Sequence, residues 1–339
     1  MKNLNPFVRH LLKASAALSL CLSLNTAFAG PANKVGLVLD KGGKDDKSFN
    51  SAAYLGLERA KKELGVSTKY VEASDDNSFE PMLRSFAQKD FDLIIAIGFS
   101  QSEAVKKVAP QFPNKHFVII DGDVTAPNVK SIIFEEHEGA FLVGALAALS
   151  SHVNKFGFVG GMDIPLIRRF EMGYEAGLKK VNPKAQLTSN FVGVTGDAWN
   201  NPAKAKELAM SQFASGIDII FGAAGASNAG VFDAAEEAHK LAIGVDSNQN
   251  WIKPGFVLTS MLKRVDVAVY DACKEATDGA FKAGSMHMGL ANKGIDYALD
   301  SYNAKLVKPE VRKKIDALKA QIIAGKIVVP DFYKKKTAQ

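Results

Sequence analysis

Short apolar runs alternate with stretches of helical period along nearly the whole chain, and no other feature limits the fold as much. Runs at 35–39, 68–71, 93–97, 117–120, 131–134, 156–159, 186–191, 217–221, 242–245 and 257–260 read as strands. Several are unbroken Val, Ile and Leu, as expected of parallel strands covered on both faces. Helical spacing fills the gaps at 53–64, 79–88, 102–108, 138–149, 166–180, 203–214 and 229–239. Further on come a helical pattern at 265–281, an irregular connection at 284–290, a strand-like piece at 294–299 and a helix at 309–324. Strand and helix in turn make right-handed βαβ units, so the class is α/β with doubly wound parallel sheets. The chain is longer than one hydrophobic core serves, and two lobes are expected, with polar segment 150–155 between them.

The N-terminus reads as a secretory signal. Lys2, Arg9 and Lys13 are basic, 11–24 is largely apolar, and Ala27, Phe28 and Ala29 form a small-x-small cleavage site before Gly30. That predicts export to the periplasm with cleavage after Ala29. The apolar core is short for a membrane span. Cys21 is the alternative, a lipid anchor, but bulky Leu20 precedes it. Without residues 1–30, 39 basic residues face 36 acidic ones, a net charge of +3. So weak an excess gives no reason to invoke nucleic acid. Cys273 is then the sole cysteine, a small core residue on a helix rather than half of a disulfide. The run Lys334-Lys335-Lys336 reads as a solvated, frayed tail.

Chemistry is expected at the strand ends, because in open α/β sheets ligands sit at the carboxyl edge. The endings supply Asp40, Gly98-Phe99-Ser100, Asp121-Gly122-Asp123, Gly160-Gly161-Met162-Asp163, Gly222 through Asn228, and Asp246-Ser247-Asn248-Gln249. Two such edges facing one another make a cleft, a common small-molecule site. The segment Asp45-Asp46-Lys47-Ser48-Phe49-Asn50 runs from the first strand's loop into a helix. Phe49 suits stacking on a flat ligand, and Asp40 and Asn50 suit its polar edge. The alternative is a helix start in which Ser48 caps and Phe49 staples. The Gly222–Asn228 loop lets backbone approach a ligand, or is a tight turn. Asp246 suits a vicinal diol, or an Asx-turn. Lys263 reaches the same cleft or is merely exposed, and Trp199 lines the cleft or staples a helix.

Catalytic and cofactor chemistry find little support. No phosphate-binding loop or dinucleotide fingerprint is present, so no nucleotide cofactor is expected. No HExxH, nucleophile elbow or cysteine-nucleophile signature occurs. His137 among Glu135, Glu136 and Glu138 evokes a metal, but acids are favoured at a helix N-terminus in any case. Asp45 and Asp46 are neighbours in a loop and point apart too readily for an acid–base pair.

Five segments in order carry a family likeness. They are Asp45-Asp46-Lys47-Ser48-Phe49-Asn50; Glu138-Gly139-Ala140-Phe141-Leu142-Val143-Gly144; Ala224-Gly225; Ile243-Gly244-Val245-Asp246-Ser247-Asn248-Gln249; and Ser260-Met261-Leu262-Lys263. Together they resemble the basic membrane protein family, whose best-understood members are purine nucleoside receptors of ABC importers. The resemblance implies a type I periplasmic-binding-protein fold, two α/β lobes joined by three strands, monomeric, passing a nucleoside to an inner-membrane permease. It implies a first lobe of 30–148 plus 257–285, a second of 149–256 plus 286–330, and a basic tail at 331–339. By motif position it places the base between Phe49 and Phe221, with Trp199 an alternative for the second face. Asp40 and Asn50 would read the base, and Asp246 and Lys263 would hold the ribose. Ser48, Asp121, Gly225 and Ala226 complete the implied site. Ala226 replaces a glycine usual in that loop, which would narrow the approach to the ribose. Members also bind riboflavin or act as regulators, which leaves a flavin, a sugar or a sensing role as alternatives.

Overall fold

The computed structural model describes residues 34–336. The signal-peptide and Cys21 readings lie outside them. The chain runs β1 (Lys34–Leu39), α1 (Phe49–Leu64), β2 (Ser67–Glu72), α2 (Phe79–Gln88), β3 (Leu93–Ile97), α3 (Ser102–Val108), β4 (His116–Ile120) and β5 (Val129–Phe134). It continues as α4 (Glu136–Ser150), β6 (Lys155–Met162), α5 (Pro165–Val181), β7 (Gln186–Gly193), α6 (Pro202–Ala214), β8 (Ile219–Ala223), α7 (Asn228–Glu237) and β9 (Leu241–Asp246). Last come β10 (Val257–Lys263), α8 (Val265–Thr277), β11 (Gly284–Met288), β12 (Ile295–Tyr297), α9 (Pro309–Ile323) and α10 (Phe332–Lys336).

Two six-stranded sheets result, ordered β2-β1-β3-β4-β5-β11 and β7-β6-β8-β9-β10-β12. All pairings are parallel except β10 with β12. Central strands such as β3 and β8 are buried at every residue, which is why their sequences lack alternation. Edge strands β2 and β7 alternate instead. Helix α4 is apolar nearly all round because it is enclosed, and it packs on α5 with backbones almost touching. A Cβ on Gly144 would lie 2.2 Å from the Tyr174 carbonyl oxygen.

Three expectations need correction. Strand β10 pairs with β9 and so belongs to the second sheet, not to a first lobe resuming at 257. Likewise α4 packs on α5, β10 and α9, so the chain leaves the first lobe near Glu135; polar segment 150–155 is only the turn between α4 and β6. The irregular connection at 284–290 contains a strand, β11, in register with β5. It is an exposed edge, so its Gly-Ser-Met-His-Met sequence needs no apolar run.

Among the described residues the chain therefore crosses between sheets three times, at β5 to α4, β10 to α8 and β11 to β12. The crossings are tied together: Glu135 N–H donates to Met288 O (2.8 Å), and Arg264 N–H to Gly294 O (2.8 Å). The expected basic tail starts as part of this hinge. Asp331 pairs with Arg169 (Nε to Oδ1 2.8 Å), and the Tyr333 ring lies 4.4 Å from the same guanidinium. Cys273 is buried and free. Among the described residues, no helix is long and apolar enough to cross a membrane.

Candidate ligand-binding site

The carboxyl edges of the two sheets face each other across a cleft of about 610 Å³, counting the open solvent at its mouth. The first lobe lines it with Asp40, Asp46, Phe49, Asn50, Phe99 and Asp121; the second with Phe170, Trp199, Ala223, Gly225, Asp246 and Lys263. Each sheet presents an aspartate in the left-handed region at a strand end, Asp121 after β4 and Asp246 closing β9, both at φ 64°. A non-glycine residue there is uncommon, and such conformations cluster where function holds them.

Asp46 organises the first wall. Its Oδ1 accepts from Ser48 N–H (2.8 Å) and Ser51 N–H (2.9 Å), and its Oδ2 from Asn50 N–H (2.8 Å). These are the free donors at the start of α1, so Asp46 caps that helix and Ser48 does not. Asn50 lines the cleft, but its amide serves the loop. Asp40 N–H donates to its Oδ1 (2.8 Å), while its Nδ2 donates to Asp46 Oδ2 (3.1 Å) and Lys41 O (3.3 Å). One oxygen lone pair remains, so Asn50 is better placed to hold Asp40 than to read a base. Asp40 Oδ2 accepts from the Ser100 hydroxyl (2.7 Å); burial pushes its carboxyl up to about 6, against the pull of that bond.

Lys263 is the positive centre of the cleft. It is 2 % exposed. Its Nζ donates to Asp121 Oδ2 (2.5 Å) and Glu136 Oε1 (3.0 Å) and lies 5.1 Å from the Phe49 ring and 5.6 Å from the Phe170 ring. Burial opposes its charge, but Asp121, Glu136 and Asp246 outweigh that and hold the ammonium above the usual lysine range. Burial pushes Asp121 upward and Lys263 pulls it back. Its Oδ1 is buried without a hydrogen-bond partner among the described residues. Burial likewise raises Asp246 to about 6, against Lys263 and the Ser48 hydroxyl.

Not every expected residue reaches the cleft. Phe221 does not: it is 0 % exposed, packed among Phe158, Phe170 and Tyr174 with ring centroids 5.7, 6.3 and 5.2 Å away. It sits in the middle of β8, one pleat before the strand's open end, where Ala223 lines the cleft. Phe170 of α5 lies over it and supplies the aromatic wall. In sequence Phe170 is one apolar position of an amphipathic helix, and nothing marked it out. Trp199 does line the cleft, and its ring packs on Gly161, where a Cβ would come within 2.1 Å of it. Ala226 is half-buried and outside the wall, so it does not narrow the cleft. Ser48 is wholly buried and touches Asp246 rather than the cavity. Glu135, His137 and Asp331 do come together at the hinge, but around the Arg169 guanidinium, which donates to Glu135 (2.7 Å) and Glu136 (2.5 Å) as well.

Known proteins with related sequences share this architecture. The chain is 36% identical over 280 residues to an uncharacterized lipoprotein of Pyrococcus abyssi, covering 78% of this chain and 68% of the relative. It is 34% identical over 320 residues to the ABC transporter nucleoside-binding protein BmpA of Lactococcus lactis subsp. cremoris, covering 88% and 89%. Among solved structures, the ABC transporter system solute-binding proteins from Aeropyrum pernix K1 superpose with a TM-score of 0.80 at 29% identity, over 88% of this chain and 94% of that one. The expected type I solute-binding fold is thus the observed one. Residues 33–332 match a single family model, and the chain belongs to the family of PnrA-like ABC transporter substrate-binding proteins.

Proposed function

We propose that this chain is a receptor for nucleosides, purine nucleosides first, which it captures between its lobes and delivers to a membrane permease. The family consists of solute-binding proteins and not enzymes, and such proteins serve ABC permeases. The observation that carries the ligand reading is the lining of the cleft: aromatic rings from both lobes beside buried carboxylates in excess. Asp40, Asp46, Asp121 and Asp246 face only Lys41 and Lys263. Both lysines already have carboxylate partners, Lys263 in Asp121 and Glu136, and Lys41 in Asp76 at 3.2 Å. Such a site accepts hydrogen bonds from N–H and O–H groups and repels anions. A nucleoside brings a flat base and a diol; a nucleotide adds a phosphate the cleft disfavours. The nucleoside-binding relative in Lactococcus lactis supports the same reading. Phe49 and Phe170 take the base, and Asp246 takes the ribose hydroxyls. Cleavage after Ala29 would release the receptor outside the cytoplasmic membrane.

A thermal-shift screen of refolded protein tests this with purine and pyrimidine nucleosides, free bases, nucleotides, ribose, other sugars and riboflavin. Purine nucleosides should raise the melting temperature, with nucleotides and ribose inert. In Asp246→Ala the shift with inosine should collapse while that with hypoxanthine changes little. A shift from riboflavin or a sugar alone would reassign the ligand.

A further inference from the structure

The two lobes are tied across the cleft by hydrogen bonds that belong wholly to the protein. From the loop before α1, the Ser48 hydroxyl donates to Asp246 Oδ2 (2.6 Å) and lies 3.3 Å from Val245 O. In return the Ser247 hydroxyl donates to Ser48 O (2.9 Å), and Gln249 Nε2 to Lys47 O (3.0 Å). Both sides are pre-set. Asp46 holds the Ser48 N–H (2.8 Å); Gln249 Oε1 accepts from Val245 N–H (2.9 Å), and Gln249 N–H donates to the Ser260 hydroxyl (2.9 Å). Lys47 (φ 55°) and Asp246 (φ 64°) face this contact, each in the left-handed region. Ser48 and Gln249 are 0 % and 1 % exposed.

Burial of these groups depends on the lobes being together. With the lobes apart, Ser48, Ser247 and Gln249 would meet water, so each bond exchanges with hydration and adds only a modest net preference for closure. The Ser48 bond does more. It occupies one oxygen of Asp246 and leaves the other for the cleft, fixing the carboxylate's rotation.

We propose that Ser48 is a positioning residue: with Ser247 and Gln249 it latches the lobes, holding part of the ligand-free population closed, and in the same contact it sets Asp246 to receive the ligand's hydroxyls. The second half rests on the nucleoside reading; the first does not. Closure and grip on the diol are then one event, because the carboxylate is oriented only when the opposite lobe arrives.

The test combines calorimetric titration with solution scattering on the mature chain. The probes are inosine and 2′,3′-dideoxyinosine, and the proteins wild type, Ser48→Ala and Ser247→Ala. Ser247→Ala removes a lobe-to-lobe bond without touching the Asp246 carboxylate. It should weaken both ligands alike, by about threefold. Ser48→Ala should weaken inosine by about tenfold and the dideoxy analogue by no more than Ser247→Ala does. Ser48→Thr, which keeps the hydroxyl, should recover most of that selectivity for the diol. Equal losses for both ligands in Ser48→Ala, or no loss, would overturn the positioning role. Without ligand, the Ser48→Ala/Ser247→Ala double variant should show a larger radius of gyration than wild type, with unchanged circular dichroism. Identical radii would overturn the latch. If wild type binds no nucleoside, the ligand reading and the positioning role fail together, and the ligand-free radii still decide the latch.

Discussion

Single side chains here take roles that their neighbours in sequence advertise. Ser48 has the residue type of an N-cap, yet Asp46 caps α1 through three backbone N–H groups. Asn50 looks like a base reader and braces the loop. Strand-end aspartates were legible because a carboxylate directly after an unbroken apolar run marks the point where a buried strand meets a polar space. What the sequence did not carry is how each amide and hydroxyl divides its bonds, since that depends on partners brought from the other lobe. The buried carboxyls should make ligand binding pH-dependent. Burial places Asp40 and Asp246 near 6, above the ordinary carboxylate range, so both gain protons as pH falls through 6. A protonated carboxyl is a poorer acceptor for ligand N–H and O–H groups. Affinity for inosine should be level above about pH 7 and fall below 6, by up to roughly tenfold per pH unit for each group, with proton release on binding near pH 6. Titration calorimetry from pH 5 to 8 in two buffers of different ionisation heat measures both. A flat profile would remove these carboxyls from the ligand. On the ligand-free fold the sign reverses: between about pH 4 and 6 the folded state binds more protons than the unfolded chain. Their penalty on stability is therefore present above 6 and relieved by acid.

Elements explain why the aromatic wall was assigned to the wrong residue. Phe221 and Ala223 lie on one face of β8, and only the later one reaches the open end of the sheet. Helix α5, which follows the neighbouring strand β6, brings Phe170 across it. Phe221→Leu should cost stability, about 1–2 kcal/mol by urea denaturation, with inosine affinity within about threefold of wild type. Phe170→Leu, also a core position, should cost similar stability but weaken inosine by about ten- to a hundredfold as well, the usual range for losing one stacked base. A large affinity loss in Phe221→Leu alone would restore the strand residue to the site. The two sheets and the strand-end loops were readable from continuous apolar runs and helical period. Strand β11 was not, because an exposed edge does not require apolar residues. The lobe boundary was misplaced because Glu135 and Lys263, where the chain crosses, carry no glycine, proline or composition break. Buried Glu136 and Lys263, and not loop chemistry, mark these two crossings.

At the scale of the whole molecule, that buried charge forms one connected set. Glu136 joins Lys263 in the cleft wall to Arg169 in the hinge, and Arg169 clamps Asp331 of the C-terminal segment. The pair is 1 % and 6 % exposed at its side chains, so water screens it little. Asp331→Ala should destabilise the protein by about 3 kcal/mol, the low end for a broken buried pair, because Glu135 and Glu136 still neutralise Arg169. Glu63→Ala, which breaks the exposed Arg59–Glu63 pair, should leave the urea midpoint almost unchanged. Comparable urea midpoints for the two variants would show that the C-terminal segment is not part of the hinge. The three crossings carry a further consequence, for the order in which the chain is made. Neither lobe is one continuous stretch. Helix α8, which covers α1, and β11, which ends the first sheet, follow most of the second lobe in sequence. A chain growing from its N-terminus has the first sheet's α2–α3 side covered early, but the side shared by α1 and α8, and the β5 edge, stay open until α8 and β11 are synthesised. For most of its synthesis it holds no finished domain, which is the condition in which a polypeptide can still be threaded through a narrow channel.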